Sequence, residues 1–189
     1  MSRPALEVAP RLLGCVLRVG EVAVRLTEVE AYEGSGDPAS HAWRGLTPRT
    51  AVMFGPSAHL YVYLSYGVHA AVNIVCGQPG VASAVLLRSA AVVAGIEIAR
   101  ARRRPGLPDS ALARGPGNLD ASLGLTPTDS GIAIDGGRVD LRRRARVPRI
   151  STGPRVGISR AADRPWRFWI SDDPTVSAYR LSPRAASQS

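Results

Sequence analysis

The sequence predicts an α+β fold, a mostly antiparallel sheet with a few helices packed on it. Three observations carry this. The strand-like segments adjoin one another instead of alternating with helices, glycine-containing turns separate several of them, and one segment, Ala90–Arg103, stands out for its helical spacing. The 189 residues fit one domain, 1–189. Its ordered core is expected over about residues 6–180, with a frayed Ser/Pro/Ala-rich tail at 182–189.

Leu12–Leu17 and the alternating run Val22–Tyr32 read as paired strands turning near Gly20. Residues Gly34–Pro56, rich in Gly, Pro, Ser and Thr, read as a long functional loop. Leu60–Tyr66 and Val68–Val75 follow as two strands, with Tyr66-Gly67 near their turn, and Val81–Arg88 is a further β-branched strand. In Ala90–Arg103 the residues Val93, Ile96 and Ala99 recur at helical spacing until Pro105-Gly106 stops the helix. Leu112–Leu123 reads as a second short helix. Ile132–Asp135 and Arg138–Leu141 flank Gly136-Gly137, a hairpin signal, and Trp166–Ile170 is a late strand.

The composition excludes several chemistries. The chain has 24 basic and 15 acidic side chains, a formal charge of +9, and every base is arginine. An excess of that size points to an acidic partner, nucleic acid before an anionic membrane surface. Without lysine there is no lysine Schiff base and no phosphate-cradling P-loop lysine. The chain opens Met1-Ser2-Arg3-Pro4 with no apolar run behind it, and stretches such as Ala84–Leu87 fall far short of the ~18 residues of a membrane span. The expectation is a cytoplasmic protein with no membrane partner. Cys15 and Cys76 stand singly, without metal-ligand spacing, so no metal site and no cofactor is expected.

Four groups of residues are candidates for chemistry. On a strand Glu28, Glu30 and Tyr32 share a face with Val24 and Leu26. Two readings stand there: the strand emerges into solvent at Glu28, or a partly desolvated glutamate serves as a general base. Four of the five tyrosines, Tyr32, Tyr61, Tyr63 and Tyr66, fall between the first strand pair and Gly67. Aromatic faces on a basic protein suit unstacked bases, and Tyr66, at a hairpin tip, is poorly placed for core packing. His41, His59 and His69 make no metal spacing. The runs Arg100–Arg104 and Arg142–Arg146 read either as solvated surface or as phosphate contacts.

Taken together, these segments resemble the alkyladenine (3-methyladenine) DNA glycosylase family. The residues that carry the resemblance are Thr27-Glu28-Val29-Glu30-Ala31-Tyr32, Ser40-His41-Ala42-Trp43, Thr47-Pro48-Arg49, Val52-Met53-Phe54-Gly55 and Leu60-Tyr61-Val62-Tyr63-Leu64-Ser65-Tyr66-Gly67-Val68-His69. Val72-Asn73-Ile74-Val75, Val85-Leu86-Leu87-Arg88, Arg114-Gly115-Pro116-Gly117-Asn118-Leu119, Pro154-Arg155-Val156-Gly157-Ile158 and Pro165-Trp166-Arg167-Phe168 extend it in order over roughly Leu6–Arg180. The resemblance implies a curved, open-barrel-like sheet with peripheral helices and a DNA-intercalating hairpin. It further implies that Glu30 activates water for attack on the deoxyribose C1′ and that Arg88 holds that water and the local phosphate. Tyr32, His41 and Tyr63 would enclose a flipped purine, with stacking that favours alkylated bases through cation–π attraction. Asn73 would crowd the 2-amino group of normal guanine, and Tyr66 would wedge into the duplex. The expected partner is double-stranded DNA carrying a damaged purine, bound by a nucleoid-associated monomer that leaves an abasic site without lyase activity. Two positions depart from the family pattern and bear on the lesion spectrum: Thr50 follows Arg49 where Asn is common, and Ala70-Ala71 replace a common bulky aromatic.

Two other readings of the chain are a non-catalytic nucleic-acid-binding module and, on fold similarity alone, a formyltransferase-like domain.

Overall fold

Strand β2, Val22–Glu33, is where the fold branches. The computed structural model describes residues 1–65, 67, 69–180 and 182. One edge of β2 pairs along its length with β5, Ser83–Ala94. The other edge is divided between β1, Val16–Val19, which takes Val22–Arg25, and β8, Arg167–Ile170, which takes Glu28–Glu30. Outward from β5 run β4, His69–Val75, and β3, Leu60–Ser65. Outward from β1 lies β6, Val139–Arg142, and β7, Ile150–Gly153, pairs with β8. All of these pairings are antiparallel, and the eight strands form one sheet that curls into a half-barrel. This is the expected α+β class. Among the described residues no helix is long and apolar enough to cross a membrane.

The helices are short. Helix α1, Ala5–Leu12, buries Ala5, Val8, Ala9 and Leu12 at helical spacing against β2 and β5. Nothing in the sequence reading anticipated it, and the prolines at 4 and 10 conceal it. The turn near Gly20 is as expected: Val19 pairs with Val22 across Gly20-Glu21.

The helix expected over Ala90–Arg103 is corrected. Residues up to Ala94 continue β5, because the first half of β2 needs a partner: Leu26, Arg25, Val24 and Ala23 pair with Ala90, Ala91, Val92 and Ala94. Sheet pairing outweighs local helical spacing there. Gly95, at φ +69°, turns the chain into α2, only Ile96–Ala101. The second expected helix is two, α3 Asp109–Leu112 and α4 Pro116–Leu123, broken at Gly115 with φ +90°. The Gly136-Gly137 hairpin is also corrected. Its second arm joins β1 as β6, while the first makes only a bridge between Ala133 and His59. Strand β7 is an addition to the expected elements.

Strands β3 and β4 lie where the sequence puts them. Tyr66 and Val68, between them, lie outside the described residues, so the intercalating tip does too, as does the expected tail apart from Ser182. The loop after β2 is stiffened by 3₁₀ turns at His41–Arg44 and Ala51–Phe54 and covers a small cluster containing Ala42, Met53 and Tyr61.

Candidate active site

Glu28 and Glu30 are both fully buried, which rules out the strand emerging into solvent at Glu28. The local cause of the arrangement is a break in register. Leu26 faces Ala90, Glu28 faces Ser89 and Val29 faces Leu87, so Thr27 on β2 and Arg88 on β5 are left without ladder partners. Bulges of this kind re-aim side chains. Here the bulge turns the Arg88 guanidinium onto the carboxylate face, with Nε 3.0 Å from Glu28 Oε1 and Nη1 3.5 Å from Glu30 Oε1.

The two carboxylates have different surroundings. Glu28 accepts hydrogen bonds from Arg88, from Arg167 Nε (2.7 Å), from Ser89 Oγ (2.8 Å) and from both the amide (2.8 Å) and hydroxyl (2.9 Å) of Ser177. Burial pushes its carboxyl up, yet Arg88, Arg167 and the serine donors together hold it below the usual carboxylate range. All of its acceptor capacity is committed. Glu30 has fewer partners: the Val156 amide on Oε1 (2.7 Å), the Tyr32 hydroxyl on Oε2 (2.9 Å) and the more distant Arg88. Burial, with the adjacent Glu30 charge, raises the Tyr32 phenol well above its ordinary value, so it stays a donor to Glu30. Burial works against the Arg88 charge, but Glu30 and Glu28 more than offset it and raise its pKa, so it remains a cation.

Tyr32, the hydroxyl partner of Glu30, lines a cleft of about 60 Å³ together with Ser40, His41, Met53, Tyr63 and Asn73. The fold therefore gathers Tyr32, His41, Tyr63 and Asn73, from β2, the long loop, β3 and β4, around one space, and links it to Glu30 and Arg88 through the Tyr32 hydroxyl. Only Tyr66 of the expected set lies outside the described residues. The His41 ring stands edge-on to Tyr63, centroids 4.4 Å apart, and its Nδ1 lies 3.2 Å from the Tyr61 hydroxyl. Burial against this wall, with Arg49 nearby, pushes the His41 pKa down to about 4, so the imidazole is neutral near pH 7. Asn73 donates from Nδ2 to the carbonyls of Tyr61 (3.1 Å) and Ala71 (3.4 Å), so backbone fixes its amide. Thr50, the first departure from the family pattern, is buried. Its hydroxyl accepts the Thr47 amide at 2.9 Å and pins the loop that carries Arg49.

Several residues important to the site had no role in the sequence reading. Arg155 is fully buried, bonds Asp37 through both terminal nitrogens (2.5 and 2.8 Å) and donates to the Ala31 carbonyl (3.0 Å). Its neighbour Val156 supplies the amide on Glu30. Arg167, Ser89 and Ser177 encircle Glu28. These contacts join positions far apart in the chain, and no spacing within one segment announces them. Within the arginine runs, Arg102 and Arg103 bond the carbonyls of Ser122 and Leu112, and Arg144 bonds those of Pro10 and Leu13. A larger cleft, about 830 Å³, lies elsewhere, between α1 and β6, and no aromatic side chain lines it for stacking.

Similarity to known proteins points to one family. The family model described as Methylpurine-DNA glycosylase (MPG) matches residues 1–174. Among similar curated proteins, one from Nocardia farcinica is 53% identical, covering 94% of this chain and 88% of its own length. One from Cutibacterium acnes is 53% identical over 95% and 98% of the two chains, and one from Corynebacterium glutamicum 50% identical over 96% of each. Each is named "Putative 3-methyladenine DNA glycosylase".

Proposed function

The chain belongs to the methylpurine-DNA glycosylase family, and from that membership we propose that it removes alkylated or deaminated purines from double-stranded DNA by monofunctional hydrolysis, acting as a monomer. The observation that supports this best is the buried Glu30 carboxylate, held by Val156, Tyr32 and Arg88 beside an aromatic cleft. The damaged nucleotide turns out of the stack into that cleft, and damaged pairs cost least to open.

Glu30 accepts a proton from water as the water oxygen bonds to the deoxyribose C1′. The bond from C1′ to the purine nitrogen breaks, and its electron pair leaves with the base. Positive charge that develops on the sugar in this oxocarbenium-like step lies near the Glu30 anion. Arg88 places its positive charge 3.5 Å from that carboxylate and, through its bond to Glu28, stays in one orientation. Tyr32, Tyr63 and a neutral His41 stack on the base, while the backbone-fixed Asn73 amide crowds a guanine 2-amino group. Tyr66 fills the gap left in the duplex. With no lysine in the chain, water is the nucleophile and the product is an abasic site.

Duplex oligonucleotides carrying hypoxanthine, ethenoadenine or a methylated purine test this by alkali-labile site formation. The protein should generate abasic sites on at least one of them, and no covalent adduct should be trapped by borohydride. Glu30→Gln should retain affinity for damaged duplex and lose turnover by about 10²–10⁴-fold. Undiminished turnover in that variant would remove Glu30 from the role of base. Absence of excision by the wild type, with duplex binding intact, would favour the binding-module reading.

A further inference from the structure

Asp120 is a carboxyl that the chemistry above does not use. It is the fifth residue of α4, past the first turn whose amides are free to bind an anion, and it is 1% exposed. Helix α4 packs on β4 and β5. The sheet is incomplete there: β3 pairs with β4 from His69 to Ile74, whereas β5 pairs with it only from Asn73 to Val75. At Val72 one edge of β4 therefore has no strand beside it. The Val72 amide favours the Asp120 anion, but neither carboxyl oxygen completes a hydrogen bond among the described residues.

The charged groups on the elements packed against α4 are engaged elsewhere. On β5 Arg88 is held by Glu28 and Glu30 of β2, and Arg25 of β2 pairs with Asp173. Arg100 of α2 pairs with Glu97 and with Asp109 of α3, Arg102 bonds the Ser122 carbonyl, and Arg103 bonds Leu112 and the Asn118 side chain. On β4 His69 lies against Gly117. A carboxylate buried without a cation or a hydrogen bond is costly, whereas the neutral acid is not. Burial accordingly pushes the Asp120 carboxyl up to about 8. Two residues of the cleft adjoin it. Val72 immediately precedes Asn73, and Asp120 is among the groups that raise the Tyr63 phenol above its ordinary value, after burial, Tyr61 and Glu30.

We propose that Asp120 is a pH-dependent positioning residue: as the neutral acid it lets α4 pack on β4 and hold Asn73 and Tyr63 in place, and its ionisation loosens that packing and slows excision. The catalytic consequence rests on the base-excision reading above, and the effect on stability does not. The unfolded chain releases this proton near the ordinary aspartate value of 3.8, the folded protein only near 8. Stability attributable to Asp120 is therefore full below about pH 3.8, falls as pH rises between those values and is level above about 8.

Denaturant unfolding of the wild type and Asp120→Asn from pH 5 to 9 tests the first half. His41 and every other group common to both proteins cancels in the comparison. The unfolding constant of the wild type, divided by that of Asp120→Asn, should rise about tenfold per pH unit from pH 5 to 7 and level off past pH 8. The second half is read from kcat/KM on the lesion duplex that the wild type excises fastest, where titration of the lesion itself also cancels. From pH 7 to 9 the wild type should lose about tenfold more of its rate than Asp120→Asn does, and regain it on return to pH 7. Asp120→Thr, uncharged and of similar volume, gives the same comparison if Asp120→Asn does not fold. Parallel unfolding profiles for the wild type and the uncharged variant overturn the neutral acid, and an equal alkaline loss of kcat/KM overturns its link to the cleft. Failure of the wild type to excise any modified purine would instead overturn the base-excision reading, with the unfolding profiles still deciding the state of Asp120.

Discussion

Glu28 and Glu30 lie two residues apart on one strand, share one face and are equally buried, yet their surroundings give them different work. Glu28 is saturated with donors and holds Arg88, whereas Glu30 has only two short hydrogen bonds, one of them from Tyr32 of the cleft wall. A buried carboxylate with spare acceptor capacity can take a proton, and one with none is a scaffold. His41 offers a prediction at the same scale. Its pKa of about 4 in the folded protein lies below the ordinary 6.5, so between those values the unfolded chain binds the proton more readily. Stability attributable to His41 is therefore full above about pH 6.5 and declines as pH falls toward 4. The melting temperature of His41→Gln should depend less steeply on pH across that window, and parallel curves for variant and wild type would contradict the assignment. Asp37 gives a second test. Asp37→Asn leaves the Arg155 charge buried without its partner and should cost about 3–5 kcal/mol in denaturant unfolding, with a loss near that of a surface substitution counting against the pair.

At the scale of elements, the junction of β5 and α2 shows how pairing outweighs local preference. Gly95 adopts φ +69°, and a Cβ there would come within 2.5 Å of the Glu21 carbonyl and 3.0 Å of Val22 Cα, both backbone atoms that cannot yield cheaply. Gly95→Ala should destabilise the protein by about 2–4 kcal/mol through combined strain and clash, read as a lower denaturation midpoint with unchanged slope. The strand alternation of Val22–Tyr32 was legible because parity depends only on adjacent residues. The end of β5 was not legible, since Ala90–Ala94 are extended only because β2 lies alongside. The break at Thr27 and Arg88 likewise belongs to two strands at once. Without it Arg88 would not reach both carboxylates.

For the whole molecule, the last described segment is part of the site. The family match ends at residue 174, yet the Thr175 hydroxyl bonds that of Thr27 at 2.8 Å, and Ser177 gives Glu28 two donors. A chain ending at Pro174 should lose most of its excision rate, by about tenfold or more, and melt at lower temperature, while one ending at Ser182 should keep both. Equal activity of the two would show that Glu28 holds Arg88 without Ser177. The half-barrel thus closes its ionic network with residues from β2, β5, β8 and the segment after β8, about 150 positions apart in sequence.

By itself the sequence determined the antiparallel strand class, the shared face of Glu28, Glu30 and Tyr32, the tyrosine pair of β3, the absence of lysine chemistry and the family that these segments resemble. Each is a matter of residue type or of neighbours one or two positions apart, where backbone geometry dictates direction. The tertiary structure alone decided that β5 runs on to Ala94, that a register break aims Arg88, that Ser177 and Arg167 complete the surroundings of Glu28, and that Arg155 lies over the Tyr32 ring while Asp37 holds it. These depend on which distant segments the curled sheet brings into contact. That outcome reflects the burial and pairing of the chain as a whole, and no local spacing encodes it.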